Sequence, residues 1–285
     1  MPAPFLTRMK RRHTYDPVGR CIYCGAAGGR LTAEHIIPES LGGMLILPAA
    51  SCDACAVETG AFEGRCAGRM FRGPRRVLGL PQKNRGSKRK RKPDVFSVKA
   101  DGRSVKVEAH EFPGMLIMFA FDPPGILVNA QPTENFAGRL SIQQLPGFAD
   151  RFSRMRGKHG FKDQITLPVE GDAADHGRLL AKIAHAYAVA ELGVEGFRPF
   201  LTSIILNRPP LHIGHYVGGL FGDSPKGDDL HEILVGHEFW GDTHVVVEIQ
   251  LFSDRAMPKY VVVAGERSQK PSQPVASPKQ PLSSK

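Results

Sequence analysis

Several things are scarce in this chain, and each scarcity narrows the reading. No stretch approaches the about eighteen consecutive apolar residues needed to cross a bilayer, and the N-terminus lacks the apolar core of a secretory signal, so a cytoplasmic protein with no membrane partner is expected. Only five cysteines occur in 285 residues. A chain of this length buries a core without covalent staples, which weighs against a disulfide framework. No asparagine occurs before Asn84. Residues 65 to 92 contain no acidic residue, although they hold twelve Lys and Arg.

Four of the five cysteines fall into two close pairs, Cys21/Cys24 and Cys52/Cys55. Each Cys-x-x-Cys is a short knuckle or helix start that presents two sulfurs on one side, and two such pairs brought together make a tetrahedral structural zinc site. Cys66 reads as a small buried residue. Between the pairs runs Glu34-His35-Ile36-Ile37-Pro38, followed by Leu41-Gly42-Gly43. Leu31 to Ile37 reads as a strand, Gly42-Gly43 as a turn and Met44 to Leu47 as the return strand. Ser51 is placed to cap a helix whose first turn carries Cys52 and Cys55.

This combination, over about residues 19–72, resembles the HNH endonuclease family, in the branch written Cys-x-x-Cys, Glu-His-Ile-Ile-Pro, Leu-Gly-Gly, Cys-x-x-Cys. The resemblance implies a ββα-metal unit with a catalytic Mg or Mn ion separate from the structural Zn. It also implies that Glu34 binds that ion and that His35 is the general base that takes a proton from water. Carboxylate oxygen suits a hard cation and imidazole titrates near neutral pH. Two family positions depart from the pattern. The middle Asn has no counterpart, and the last Asn or His is Ala56, which binds no metal. At about 100° per residue Glu63 lies on the helical face of Ala56, which makes it the first substitute ligand; its other reading is a solvated helix charge.

Charge is distributed in blocks. Residues 1–64 balance, residues 65–92 carry +12 and the remainder carries −2, which together give the net +10. Arg65, Arg69, Arg72, Arg75, Arg76, Lys83, Arg85, Lys88, Arg89, Lys90, Arg91 and Lys92 form the positive block, beside the nuclease-like motif. Such a block neutralises phosphates and releases counterions, so nucleic acid, double-stranded DNA in particular, is the expected partner; a solubilising linker is the other reading. Arg65, Arg69 and Arg72 share a face if the helix continues to Phe71, and the chain should leave the helix at Gly73-Pro74.

The expected organisation is an α+β protein: a basic arm (1–18), the HNH-like zinc module (19–73), a basic connector (74–93), an α+β domain with a mainly antiparallel sheet (94–266) and a disordered tail (267–285). Asp101-Gly102 closes a hairpin in which Phe96 faces Val107, Val98 faces Val105 and Ser97 pairs with Lys106. Further strands are expected at 115–121, 126–130, 139–143, 164–168, 211–217, 233–240, 244–252 and 260–263. Helices are expected at 175–192, with Leu179, Ile183, Tyr187 and Ala190 on its apolar stripe, and at 197–206. His185 reads as a packing residue. His212, His215, His231, His237 and His244 read as strand surface or hydrogen-bonded core. The functional expectation is a metal-dependent endonuclease. The alternative is a catalytically degenerate zinc-bound DNA-binding or regulatory protein, which the absent ligands favour.

Overall fold

The computed structural model describes residues 12–81, 95–162, 165–167, 170–220, 224–236 and 243–268. Most of the basic arm, the connector from residue 82, including Lys83 to Lys92, and nearly all of the tail therefore lie outside the described residues, as does His237.

The N-terminal part is built as strand, strand, helix. Strands β1 (His13–Thr14), β2 (Leu31–His35) and β3 (Leu45–Cys52) form one sheet in the order β1-β3-β2, with β2 and β3 antiparallel and β1 parallel to β3. A single helical turn, Glu39–Leu41, sits inside the β2–β3 connection ahead of Gly42, whose φ of 88° is left-handed. Gly43 allows the tightest approach there: a Cβ would lie 1.9 Å from the Ile37 carbonyl oxygen. Helix α1 (Asp53–Gly68) starts one residue later than expected, with Cys52 rather than Ser51 at its N-cap and with Asp53 in its first turn, where the helix dipole favours an acid. The chain breaks at Arg69 and resumes as α2 (Arg72–Val77), so Gly73-Pro74 lies in a first turn, where proline is tolerated, rather than ending a helix.

Beyond residue 95 the expected hairpin forms from β4 (Val95–Ala100) and β5 (Arg103–Glu108), with Phe96 opposite Val107, Val98 opposite Val105 and Ser97 opposite Lys106. Strands β6 (Met115–Ala120) and β7 (Arg139–Gln144) pair next; then come helix α3 (Phe148–His159) and the short strand β8 (Ile165–Thr166). Helix α4 (Ala173–Leu192) has Asp172 at its N-cap, accepting from the Asp175 N–H, and Gly193 at its end. It lies against an antiparallel sheet whose members are β9 (Phe197–Pro199), β10 (Val217–Gly219), β11 (His231–Gly236), β12 (His244–Leu251) and β13 (Lys259–Arg267). Two short helices, α5 (Thr202–Ile205) and α6 (Ile213–Tyr216), link β9 to β10. The mainly antiparallel α+β expectation is met.

Some short elements differ from the sequence reading. Residues 125–128 form a single helical turn instead of a strand, residues 197–206 split into β9 and α5, and His212 and His215 sit on α6 or at its start rather than on a strand. Short apolar runs do not distinguish strand from helix by periodicity, and pairing with a long partner such as β13 decides the outcome. Helix α3 is polar along most of its length and is bounded by left-handed Gly147 and Gly160, a glycine signal the sequence reading did not use.

One apolar cluster runs from Cys21, Ile36 and Phe62 in the N-terminal unit to Leu179, Tyr187 and Val262 beyond residue 170. The HNH-like segment and the C-terminal sheet thus share a core through α4. A smaller cluster, with Phe96 stacked on Phe112 at 4.1 Å, closes the β4–β5 hairpin over α3.

Candidate functional site

The two cysteine pairs come together. The Sγ atoms of Cys21, Cys24, Cys52 and Cys55 lie within 4.8 Å of one another, and Cys24 and Cys52 are 3.7 Å apart. Local structure sets this up: a tight turn at Gly25, whose N–H donates to the Cys21 carbonyl, forms the first knuckle, while the second pair sits at the start of α1. All five cysteines are free thiols. Burial would raise the Cys21 thiol, but hydrogen bonds from the backbone N–H groups of Cys52, Cys24 and Tyr23 outweigh it and hold the group near 7. Burial and then the neighbouring thiols push Cys55 up. Four sulfurs so close cannot all ionise without a cation between them, and the donor set and spacing fit zinc.

Glu34 and Glu63 also come together, around an ammonium. Lys182, from the middle of α4, places Nζ 2.5 Å from Glu34 Oε1 and 2.8 Å from Glu63 Oε1, and donates to the carbonyl oxygens of His35 and, at 3.3 Å, of Ile36. The Lys182 side chain has 0% exposure, that of Glu34 8% and that of Glu63 22%. Burial pulls Lys182 down, but the two carboxylates more than offset it and hold the ammonium above its ordinary range. Burial, followed by the charges of Glu34 and Glu63, pushes the Tyr23 hydroxyl beside them well up. The expected reading of Glu34 and Glu63 as ligands of a catalytic Mg or Mn therefore meets a cation already in place. Ala56 offers no donor, and the Lys182 ammonium lies between the two carboxylates.

The rest of α4 explains how that lysine is held. Asp175, Arg178, Lys182 and His185 recur at spacings of three and four and so share one face. Asp175 takes a bidentate pair of 2.6 Å bonds from Arg65. Arg178 lies 4.6 Å over the Phe62 ring and donates to the carbonyls of Ile204 and Ile205. His185 Nε2–H donates to the Ile22 carbonyl at 2.7 Å. The sequence reading assigned α4 a single apolar stripe, whereas every residue from His176 to Val189 is buried. The overlooked signal was Arg178 and Lys182 inside that largely apolar run: charges in a helix buried all round need partners.

His35 is half-buried, and its Nδ1 is buried without a hydrogen-bond partner among the described residues, so nothing there fixes the tautomer a general base requires. The basic block divides. Arg65 is engaged by Asp175; Arg72 donates to the Val95 carbonyl and lies 4.5 Å over the Phe96 ring; Arg75 donates to the carbonyls of Ser40, Ala67 and Pro81. These three guanidinium groups tie elements of the fold together. The break at Arg69 also removes the shared helical face expected for Arg65, Arg69 and Arg72. Arg69 and Arg76 are exposed.

Residues 21–72 match the HNH endonuclease family, and this segment is an HNH domain of ββα type that spans under a fifth of the chain. No curated protein and no solved structure matches the chain. The family match and the cysteine cluster support a nuclease or nucleic-acid-related role. Among the described residues no helix is long and apolar enough to cross a membrane.

Proposed function

We propose that the protein acts on nucleic acid through a zinc-stapled HNH domain, and that it binds duplex DNA without cutting it while Lys182 is seated. The observation that carries this reading is the pair of contacts from Lys182 to Glu34 and Glu63. Hydrolysis of a phosphodiester by an HNH centre draws on a metal ion to stabilise charge, and the carboxylates that would hold one are engaged by a fully buried ammonium. The family match and the acid-free basic block of residues 65–92, in which Arg69 and Arg76 are exposed, support the binding half of the proposal. The competing reading is a metal-dependent endonuclease in which Glu34 and Glu63 hold Mg or Mn and His35 is the base. The adjacent Glu34-His35 inside the HNH match favours it.

Purified protein incubated with plasmid, linear DNA and RNA, with Mg²⁺, Mn²⁺ or chelator, separates the two. Salt-dependent binding with intact substrates is expected, whereas cleavage that disappears in His35→Ala establishes the endonuclease reading. Deleting residues 83–92 should weaken binding to all sequences alike and flatten the salt dependence by roughly 0.9 log unit per lost phosphate contact.

The cysteine cluster is expected to hold one zinc per chain. Cys52→Ser should release it and unfold the HNH domain, because the metal-binding energy of such a site is folding energy. Elemental analysis and circular dichroism check this; a folded protein free of zinc would refute it.

A further inference from the structure

The surroundings of Lys182 Nζ resemble a metal site more than a lysine pocket. Two of its neighbours are carboxylate oxygens, from Glu34 and Glu63, and two are main-chain carbonyl oxygens, from His35 and Ile36. An ammonium has three N–H donors, so a fourth oxygen exceeds what it can bond directionally. All four donors are oxygen and all belong to the HNH domain: three come from β2 and the residue after it, the fourth from α1. Oxygen donors with two formal negative charges are what a hard divalent cation takes. A single ammonium leaves the group with a formal charge of −1, whereas a divalent ion in its place would neutralise it, and the low-dielectric surroundings favour neutrality. Only the cation comes from outside the domain, on α4.

We infer that Lys182 Nζ and a divalent cation are alternative occupants of one oxygen cage, with Lys182 as the resident cation and the metal site latent beneath it. The inference concerns the cage, and it is read by metal occupancy, independently of nucleic-acid binding or cleavage.

The test uses the full zinc-loaded chain in divalent-free buffer, with Mn²⁺ as the probe, followed by its paramagnetic resonance and by thermal unfolding. Wild type is expected to bind no Mn²⁺ at the cage and to show no change in Tm. Lys182→Ala is expected to take up one Mn²⁺ and gain roughly 5 °C or more at saturation. Both effects should vanish in Lys182→Ala combined with Glu63→Gln. If Lys182→Ala does not fold without metal, refolding in Mn²⁺ or Mg²⁺ should recover it, and failure of that rescue overturns the inference. It is equally overturned by a folded Lys182→Ala that binds no Mn²⁺, or by a wild-type protein that binds one Mn²⁺ lost on Glu63→Gln, since ammonium and metal would then coexist.

Discussion

Between pH 6.5 and about 4 the folded protein is expected to lose stability at up to about 4 kcal/mol per pH unit, because three buried imidazoles take up protons only on unfolding. His176 sits among Phe71, Phe119, Phe121 and Tyr260 with neither ring nitrogen hydrogen-bonded among the described residues, and burial pushes it down to about 3. His185 and His231 are each pushed down to about 4 by burial, which outweighs the carbonyls of Ile22 and Leu41 that accept their Nε2–H. Phe252 N–H donates to the other nitrogen of His231, so that ring is held neutral from both sides. A group whose folded pKa lies below its unfolded value binds more protons when unfolded, so its contribution is complete above 6.5 and is lost as pH falls toward the folded value. Three such groups over two pH units amount to about 8 kcal/mol, comparable with the whole stability of many domains. Urea midpoints measured from pH 8 to pH 4.5 in excess zinc check this. Zinc-site protonation acts in the same direction, so His176→Phe isolates one imidazole: its stability relative to wild type should be about 2 kcal/mol more favourable at pH 5 than at pH 7.5. A difference that does not change with pH would refute the assignment.

The second large effect concerns the ion-paired cluster. Lys182→Met keeps most of the side-chain volume but strands Glu34 and Glu63, and removing one partner of a buried pair typically costs about 3–5 kcal/mol. Combining Lys182→Met with Glu34→Gln and Glu63→Gln removes all three charges together and should recover most of that loss, since a neutral buried cluster carries no uncompensated charge. Chemical denaturation of the single and triple variants at pH 7.5 measures the recovery. A triple variant no more stable than the single one would mean that the lysine stem and its two carbonyl contacts, rather than charge balance, hold α4 against the HNH domain.

The parts of this molecule legible in its sequence were those specified locally. Asp101-Gly102 fixes its own turn, and alternation then forces Phe96 against Val107, so the register followed from fourteen adjacent residues. The Cys-x-x-Cys pairs present their sulfurs by local geometry, and Gly193 closes α4 by capping chemistry, while its start two residues before Asp175, capped by Asp172, was not read. The site was legible only in part, because what decides it is 147 residues away in the chain: the contact of Lys182 with the His35 carbonyl. Periodicity recognised α4 as apolar but carried no information about which element its buried charges would meet. The arginines of the basic block show the same limit. Composition counts charge, whereas Arg65, Arg72 and Arg75 are matched individually to a carboxylate, a ring and backbone carbonyls.

The cage also has a consequence for how such a chain changes over generations. Its oxygens and its cation are encoded on opposite sides of the connector, so an HNH segment moved by recombination into another host would arrive with two buried carboxylates and nothing to answer them. A neutral residue at 182 is therefore expected to be tolerated only where the carboxylates have also yielded their charge or a metal ion enters the vacated space, whereas a neutral residue at 34 or 63 alone still leaves one carboxylate paired with the ammonium.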